Sequence, residues 1–260
     1  MPRSLRTLMS PPLMSSDGYM PQAVGPRTMR ALRARGARPV IGDYARFGSG
    51  LVSGLPWSFG GGRGEFEFAG ERHRYLFHRY KWTWLTERAV EVPIARSFVE
   101  RHAADRVLEI GHVLGHYGPQ KHTVVDKYEQ APGVLNRDVF ELDDLGRFEA
   151  VVAVSTLEHV GWDEEPRDRG RSAASLHAAQ RSIAPGGKLL VTVPVGYHPG
   201  LDEAIQSGEF RFASARALRR RQFGPHWDEV EPDSVWGTPY DFLLYSARAV
   251  FVGVIDGPPA

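Results

Sequence analysis

Four residues in the middle of the chain have the types and spacing of a nucleotide-binding site. Glu109 lies in a short apolar run that breaks into glycines at Gly111 and Gly115, and a second apolar run ends in Asp126. This order predicts a strand, a glycine-rich turn, a second strand and an acid at its tip. A glycine in the turn lets the backbone approach a ligand, and the acid can accept hydrogen bonds from ribose hydroxyls.

The same stretch separates two classes of cofactor. Dinucleotide enzymes use G-x-G-x-x-G to seat a pyrophosphate on a helix N-terminus, but Val113 stands at the second of those glycines. Glu109 would repel a phosphate and suits a cationic ligand, such as the amino group and sulfonium of S-adenosylmethionine. The stretch resembles motif I of class I S-adenosylmethionine-dependent methyltransferases, (D/E)-x-G-x-G-x-G. Val113 departs from the middle glycine of that motif.

Two later segments carry the same resemblance. Residues 150–154 are unbroken and apolar, as in a strand buried on both faces of a parallel sheet, and Ser-Thr-Leu-Glu-His-Val follows them. A Leu-Glu-His-Val-like sequence follows the fourth strand of many small-molecule class I methyltransferases. The run Ile-Ala-Pro-Gly-Gly-Lys-Leu-Leu-Val-Thr-Val-Pro is close to their helix–turn–fifth-strand signature. The resemblance is closest to bacterial methyltransferases associated with glycan or secondary-metabolite biosynthesis.

The resemblance implies an α/β, Rossmann-like class I methyltransferase fold, with a mostly parallel seven-stranded sheet and helices on both faces. It implies S-adenosylmethionine as cofactor, with Asp126 at the ribose and Asp138 with Val139 at the adenine. The alternative for Asp138 is an acid in a surface loop. The predicted cofactor-binding residues are Glu109, Gly111, Gly115, Asp126, Asp138, Val139, Ser155 and Thr156.

The catalytic candidates are His159 and, as second choice, Glu158. Both should lie at the carboxyl end of the fourth strand, beside the transferring methyl group. An imidazole titrates nearest to neutral pH and suits proton removal from an acceptor hydroxyl, whereas an unperturbed carboxylate is a weak base. The alternative role for His159 is a hydrogen bond that braces the loop.

An aromatic-dense segment and the residues after the fifth strand supply candidates for the acceptor side. These aromatic residues can equally belong to the core, and the helix that follows them carries Val90, Ile94 and Phe98 at helical spacing. The predicted substrate-side residues are Tyr80, Trp82, Glu87, Arg88 and His198.

Arginines and histidines raise two further hypotheses. The cluster at Arg216 and Arg219 to Arg221 can hold the phosphates of a nucleotide-linked sugar, or can be a solvated helix face. His112 and His116 have the i, i+4 spacing of zinc-binding helices. Because the glycine turn disfavours a helix and no glutamate stands between the two histidines, we predict no metal.

Composition limits the other function classes. The 260-residue chain has a net charge of +1 and no cysteine, which excludes disulfides and cysteine nucleophiles and gives no reason to expect nucleic acid. No apolar run reaches the roughly 18 residues of a membrane span, so we predict a cytoplasmic bacterial enzyme acting on a small molecule. The rivals are a scaffold or cofactor-binding protein without catalysis and a nucleotide-sugar oxidoreductase on a related fold.

The chain divides into three predicted regions. Residues 1–62 are expected to form a flexible, basic and glycine-rich N-terminal arm, because they contain little apolar material. Residues 63–104 should form an aromatic cap and a pre-core helix, and residues 105–256 the S-adenosylmethionine-binding core. The sequence predicts neither the acceptor atom nor the oligomeric state.

Overall fold

One mainly parallel sheet of eight strands organises the computed structural model, which describes residues 28–29, 31–33, 36–58, 64–78, 80–222, 224–241 and 243–259. A separate hairpin precedes the sheet in the chain. The hairpin strands are β1 (Glu65–Phe68) and β2 (Glu71–Arg74). The sheet strands are β3 (Val107–Ile110), β4 (Thr123–Val125), β5 (Val134–Leu135), β6 (Phe148–Val154), β7 (Ile183–Pro194), β8 (Ser214–Arg220), β9 (Trp227–Val230) and β10 (Ala249–Asp256).

The strands lie in the order β5-β4-β3-β6-β7-β10-β8-β9. Neighbours from β5 to β7 pair in parallel, whereas β10 runs antiparallel to both β7 and β8. The order reverses between β3 and β6, and open α/β sheets bind their ligands at the carboxyl ends of the strands beside such a reversal. The predicted Rossmann-like α/β sheet is therefore confirmed.

The strand count and one element differ from the prediction. The sheet has eight strands rather than seven, because β9 pairs antiparallel with β8 at the edge. The backbone N–H of Trp227 in β9 donates to the Tyr75 hydroxyl at 2.8 Å, so the cap holds this strand in place. Arg216, Arg219 and Arg220 lie in the strand β8, so the interpretation of this cluster as a solvated helix face is wrong. The sequence predicts a third strand that ends at Asp138, but β5 ends at Leu135, three residues earlier.

Helices cover both faces of the sheet, and their apolar sides form the core. One face packs against the hairpin and α2 (Arg88–Val99), and the other packs against α3 (Arg171–Arg181) and α4 (Pro199–Gln206). Val90 and Ile94 of α2 are buried one turn apart, as their spacing predicted.

Pro93 lies inside α2 at a position where it cannot donate to the carbonyl of Ala89. The backbone N–H of Leu76 donates to that carbonyl instead, at 2.9 Å. The chain segment after the hairpin therefore replaces the hydrogen bond that proline removes, and this replacement joins the cap to the helix.

The connections from β3 to β4 and from β4 to β5, all of whose residues are described, contain no α-helix. Residues 111–122, which are all described, form a 3-10 turn at Leu114–Tyr117 but no α-helix between β3 and β4. Parallel strands usually need a crossover of a dozen or more residues, most often helical. The carboxyl edge of β3 and β4 is therefore built from turns, whose backbone groups must find hydrogen bonds elsewhere.

An α-helix lies within the predicted arm. The helix α1 (Ala37–Ser58) runs through Gly48 and Gly50, which the sequence suggested as connector. The buried Asp43 carboxylate of α1 accepts from Arg248 at 2.7 Å, beside β10. This part of the arm is thus helical and joined to the core by an ion pair, while the boundaries at residues 62 and 104 stay predictions. Within the described part of the chain, no helix has the length and apolarity needed to cross a membrane.

Candidate cofactor and active site

Glu109 holds the turn after β3. Its side chain is fully buried, and one carboxylate oxygen accepts the backbone N–H groups of Val113 and Leu114 at 2.8 and 2.7 Å. The other oxygen lies 2.7 Å from His122 Nε2. Glu109 was expected to face a cationic ligand. In the structure its buried carboxylate accepts hydrogen bonds that stabilise the turn.

Asp126, at the end of β4, lies beside this turn and is half-buried. One oxygen accepts the backbone N–H groups of Tyr128 and Glu129, each at 2.8 Å, and the other accepts the N–H of His112 at 3.0 Å. A carboxylate has about four acceptor positions, so three bonds leave room for one more. Asp126 can brace the loops and still accept from a ribose hydroxyl.

The two glycines of the turn are packed against protein side chains. Gly111 has a φ of +85°, and a Cβ there would lie 2.2 Å from Thr156 Oγ1. At Gly115 a Cβ would lie 2.1 Å from His112 Nε2. The structure places Thr156 against Gly111, and both residues are among the predicted cofactor-binding residues. At both glycines, however, a protein side chain occupies the space that a Cβ would need.

Asp138 belongs to an ion-pair cluster. One oxygen accepts from the N–H of Phe140 at 3.2 Å, and the other lies 3.1 Å from Lys127 Nζ and 3.5 Å from Arg171. Burial raises the pKa of Asp138, but the hydrogen bonds from Lys127 and Phe140 and the charges of Lys127 and Arg171 together outweigh burial, so the pKa is lowered overall. Val139 is buried in the core. The adenine-side role of Asp138 and Val139 stays a prediction.

A buried polar network ties α2 to the ends of β6 and β7. Glu91 accepts hydrogen bonds from the hydroxyls of Ser155 and of Thr192, the latter at 2.9 Å. Arg88 donates to Glu91 and to the carbonyl of Val154, both at 3.1 Å. Ser155 and Arg88 are thus committed to this network. Glu91 was not among the predicted site residues. Its signal in the sequence was an acid three residues after Arg88, on the apolar face of α2.

Glu158 is a buried carboxyl group without a hydrogen-bond partner in the described part of the chain. It is 1% exposed, and neither carboxyl oxygen has a hydrogen-bond partner among the described residues. Because burial penalises the charged form, the pKa of Glu158 is raised to about 8. At neutral pH this side chain is mainly protonated, which is characteristic of carboxyl groups at functional sites.

His159, next to Glu158, is positioned by two residues that the sequence analysis did not consider. Its Nδ1 lies 2.5 Å from Asp163, which also accepts from the Tyr197 hydroxyl at 2.7 Å. Its Nε2 lies 3.6 Å from Glu158. Loss of hydration against the neighbouring protein lowers the pKa of His159, although 45% of its side chain is exposed. The hydrogen bond to Asp163 and the charge of Asp163 oppose this effect, and the pKa is raised overall. The signal for this contact in the sequence was the spacing of Asp163, which comes four residues after His159.

The substrate-side candidates fall into two groups. Tyr80 stacks on His116 with ring centres 4.8 Å apart, and Trp82 lies between Phe47 and Trp84 in an aromatic stack. Both aromatic residues belong to the cap that α1 covers.

The other candidates have structural partners. Glu87 accepts the backbone N–H of Ala247 at 2.8 Å, and Arg88 is held in the network beneath β6. The Nδ1 of His198 accepts the N–H of Leu201 and caps α4, while its Nε2 is buried without a hydrogen-bond partner among the described residues.

A cavity of about 330 Å³ lies between α1 and the ends of β8 and β10. These ends lie at the sheet edge that also carries Ser155, because β10 runs antiparallel to its neighbours. The charged residues that line it are Arg46, Arg220, Arg221, Asp241 and Arg248.

Three of these arginines have carboxylate partners. Arg46 and Arg248 contact Asp43, and Arg221 is paired with Asp228. Arg220 donates to the carbonyl of Leu85 and has no ion-pair partner among the described residues. Burial lowers its pKa to about 10, so it remains a cation at neutral pH.

Comparison with known proteins gives only remote similarities. No family model matches the chain, and no curated protein matches it. Among solved structures, the chain is similar to the N-methyltransferase NodS from Bradyrhizobium japonicum WM9 in complex with S-adenosyl-L-homocysteine. The identity is 13%, 66% of this chain and 87% of that chain are covered, and the TM-score is 0.41.

Two other solved structures have comparable similarity. The apo form of the S-adenosylmethionine-dependent methyltransferase SibL is 13% identical, covers 91% of this chain and 74% of its own, and has a TM-score of 0.36. An S-adenosylmethionine-dependent methyltransferase from Thermotoga maritima is 16% identical, with 63% and 86% covered and a TM-score of 0.37. Similarities this remote do not define an activity or a ligand for this chain.

The raised pKa of Glu158 predicts a pH-dependent cost in stability. Between pH 4.5 and about 8 the unfolded chain carries an ionised glutamate while the folded protein carries a protonated one. Wild-type stability should therefore fall with rising pH relative to Glu158→Gln, by about 1.4 kcal/mol per pH unit and a few kcal/mol in total. Urea unfolding of both proteins at pH 5, 6, 7 and 8 measures this difference.

The control for this comparison is Glu203→Gln, because Glu203 is an exposed partner of Arg169. Its stability should run parallel to that of the wild type over the whole range. Parallel curves for Glu158→Gln as well would show that Glu158 ionises normally in the folded protein.

Proposed function

We propose that this protein transfers a methyl group from S-adenosylmethionine to an oxygen or nitrogen atom of a small molecule. The observation that carries the proposal is the sheet itself, with β10 antiparallel between β7 and β8 and with Asp126 and the Gly111 turn at neighbouring strand ends. This is the arrangement that the resemblance to class I methyltransferases implies. The motifs around Glu109, Asp126 and Glu158 occupy the expected strand ends.

The residues at this edge fit the cofactor. Asp126 has an acceptor position left for a ribose hydroxyl, and Gly111 places the turn directly against the end of β6. When bound, S-adenosylmethionine supplies an electrophilic methyl group. The part of this chain is to hold the two reactants in line and to keep charge and water away from the reacting atoms.

His159 is the better candidate for removing a proton from the acceptor. Because Asp163 accepts from Nδ1, the Nε2 atom is the one that can take a proton. Glu158 is mainly protonated at neutral pH, so it serves as a neutral hydrogen-bond donor rather than as a base. The Tyr197 hydroxyl and Asp163 orient the imidazole.

The arginine-lined cavity supports an anionic acceptor, such as a nucleotide-linked sugar. Glu87 joins its lining residue Ala247 to the first turn of α2, and the next residue, Arg88, contacts the end of β6. These contacts connect the cavity to the proposed methyl-transfer site. Arg220 is a buried cation without a carboxylate partner there, and a guanidinium matches the geometry of phosphate oxygens.

The cofactor assignment predicts the effect of Asp126→Ala. If Asp126 accepts from the ribose, the variant should bind S-adenosylmethionine and S-adenosylhomocysteine roughly 10- to 100-fold more weakly, because the one charge-assisted hydrogen bond that Asp126 can still accept is worth about 1.5–3 kcal/mol. Calorimetric titration measures the change, with NAD as a third ligand. Asp256→Ala, at the opposite edge of the sheet, should bind as the wild type does.

The titration also separates the rival functions. Binding of NAD alone would indicate an oxidoreductase and would overturn the proposal. Tight S-adenosylmethionine binding without turnover on any acceptor would indicate a binding protein. Since Asp126 also braces the loops, a thermal melt of Asp126→Ala must show a folded protein, and unchanged affinity in that protein would place the ribose elsewhere.

The role of His159 is tested by His159→Asn. A base should lose about 10²- to 10⁴-fold in single-turnover rate while cofactor affinity is kept. Loss of affinity and stability together, with little change in rate at saturation, would instead make His159 a brace for the loop. Tyr197→Phe removes one hydrogen bond to Asp163 without touching the imidazole, and it should lower the rate by a smaller factor.

The acceptor class is tested with a matched pair of sugars, one linked to a nucleoside diphosphate and one free. We expect the linked sugar to be preferred through KM, and Arg220→Gln to reduce that preference by roughly 10- to 100-fold because a charged hydrogen bond is worth about 1.5–3 kcal/mol. Arg219→Gln is the control, since neighbouring residues of a strand face opposite sides. A wild-type protein that treats both sugars alike would refute the anionic acceptor and leave methyl transfer standing.

A further inference from the structure

We propose that His112, His116 and Glu129 form a binding site for one divalent transition-metal ion, such as Zn²⁺. The Nδ1 atom of His112 and the Nε2 atom of His116 lie 2.9 and 3.1 Å from the same Glu129 carboxylate. One ligand atom from each residue lies within 4.8 Å of the other two. Two imidazoles and a carboxylate are a ligand set that Zn²⁺ takes, at about 2.0–2.2 Å, with a further position open to water.

Asp126 holds the backbone that carries two of these ligands. Asp126 accepts the N–H of His112 with one carboxylate oxygen and the N–H of Glu129 with the other. A single carboxylate thus holds both chain segments at the distance that lets their side chains meet. Supporting contacts of this kind hold the ligands of a site in position.

The orientation of both imidazole rings is also restricted. The ring of His112 occupies the space that a Cβ at residue 115 would fill, so Gly115 is required for this placement. Tyr80 stacks on His116 with ring centres 4.8 Å apart, on the side of the cap. The two imidazole rings lie 4.7 Å apart and converge on one carboxylate.

The site is accessible and differs from the other histidine–carboxylate pairs. The side chains of His116 and Glu129 are 22% and 27% exposed, so an ion can enter and keep a water ligand. His177 shares Glu209 with no second imidazole. Over the part of the chain that the structure describes, these three residues are the only group of three potential ligands whose ligand atoms lie this close together.

The test uses the untagged full chain, freed of metal with a chelator and dialysed. Titration with Co²⁺ should produce one equivalent of d–d absorption, and Zn²⁺ should displace it. His116→Asn and Glu129→Gln should each weaken Zn²⁺ binding by at least roughly 10- to 100-fold, because each removes one of three ligands. His177→Asn, which removes an exposed imidazole paired with Glu209, should bind Zn²⁺ as the wild type does.

Two outcomes would overturn the site. One is the absence of a Co²⁺ spectrum in the wild type, and the other is unchanged Zn²⁺ affinity in both folded ligand variants. If a variant does not fold in the chelator, X-ray absorption of the zinc-loaded wild type decides, because two imidazoles are expected around the ion and any other number contradicts the proposal. None of these measurements requires S-adenosylmethionine, so the site can fail or stand independently of methyl transfer.

Discussion

The edge of the sheet at β3 and β4 depends on two carboxylates that take the place of a helical crossover. A turn without regular secondary structure leaves backbone N–H groups that must be satisfied, and unpaired buried groups cost about 1–3 kcal/mol each. Glu109 accepts two of them from beneath the turn, and Asp126 accepts three from both sides of β4. The backbone positions of His112 and Glu129 follow from these bonds.

This arrangement gives Asp126 two tasks that are usually separate. It closes the loops that follow β3 and β4, and it offers an acceptor position toward the region where a ribose is proposed to bind. The same closure brings His112 and Glu129 together. Cofactor binding and metal binding would therefore act on the same loops, and a ligand at one position would be expected to stabilise the conformation that the other needs.

The buried polar network at the ends of β6 and β7 connects the cap to the catalytic candidates. Arg88 and Glu91 satisfy each other and the ends of these strands, so α2 is held in a defined position over the edge. Glu158 lies nearby without such partners, and the protein keeps it neutral instead. A buried group that lowers stability and lies beside an oriented imidazole is better explained by function than by folding.

The class of fold and the positions of the candidate residues along it could be predicted from the sequence alone. Alternation and apolar runs predicted β3, β4, β6, β7 and the face of α2, because these patterns reflect neighbours within one turn or one strand. They also placed Asp126 at the end of β4 and Glu158 after β6. The helix through Gly48 and Gly50 was missed, because its stability comes from contacts with Arg248 and the cap rather than from local propensity.

Which of these residues contact one another follows from the packing of the elements in the tertiary structure. His112 and His116 looked incomplete as metal ligands because the nearest glutamate in space comes from beyond β4 and not from the same turn. Ser155 finds Glu91 across 64 residues of chain, and Arg248 finds Asp43 across 205. Sequence periodicity describes which face of an element is buried, but the partner on that face is chosen by how the elements pack, and packing brings together residues that no local pattern relates.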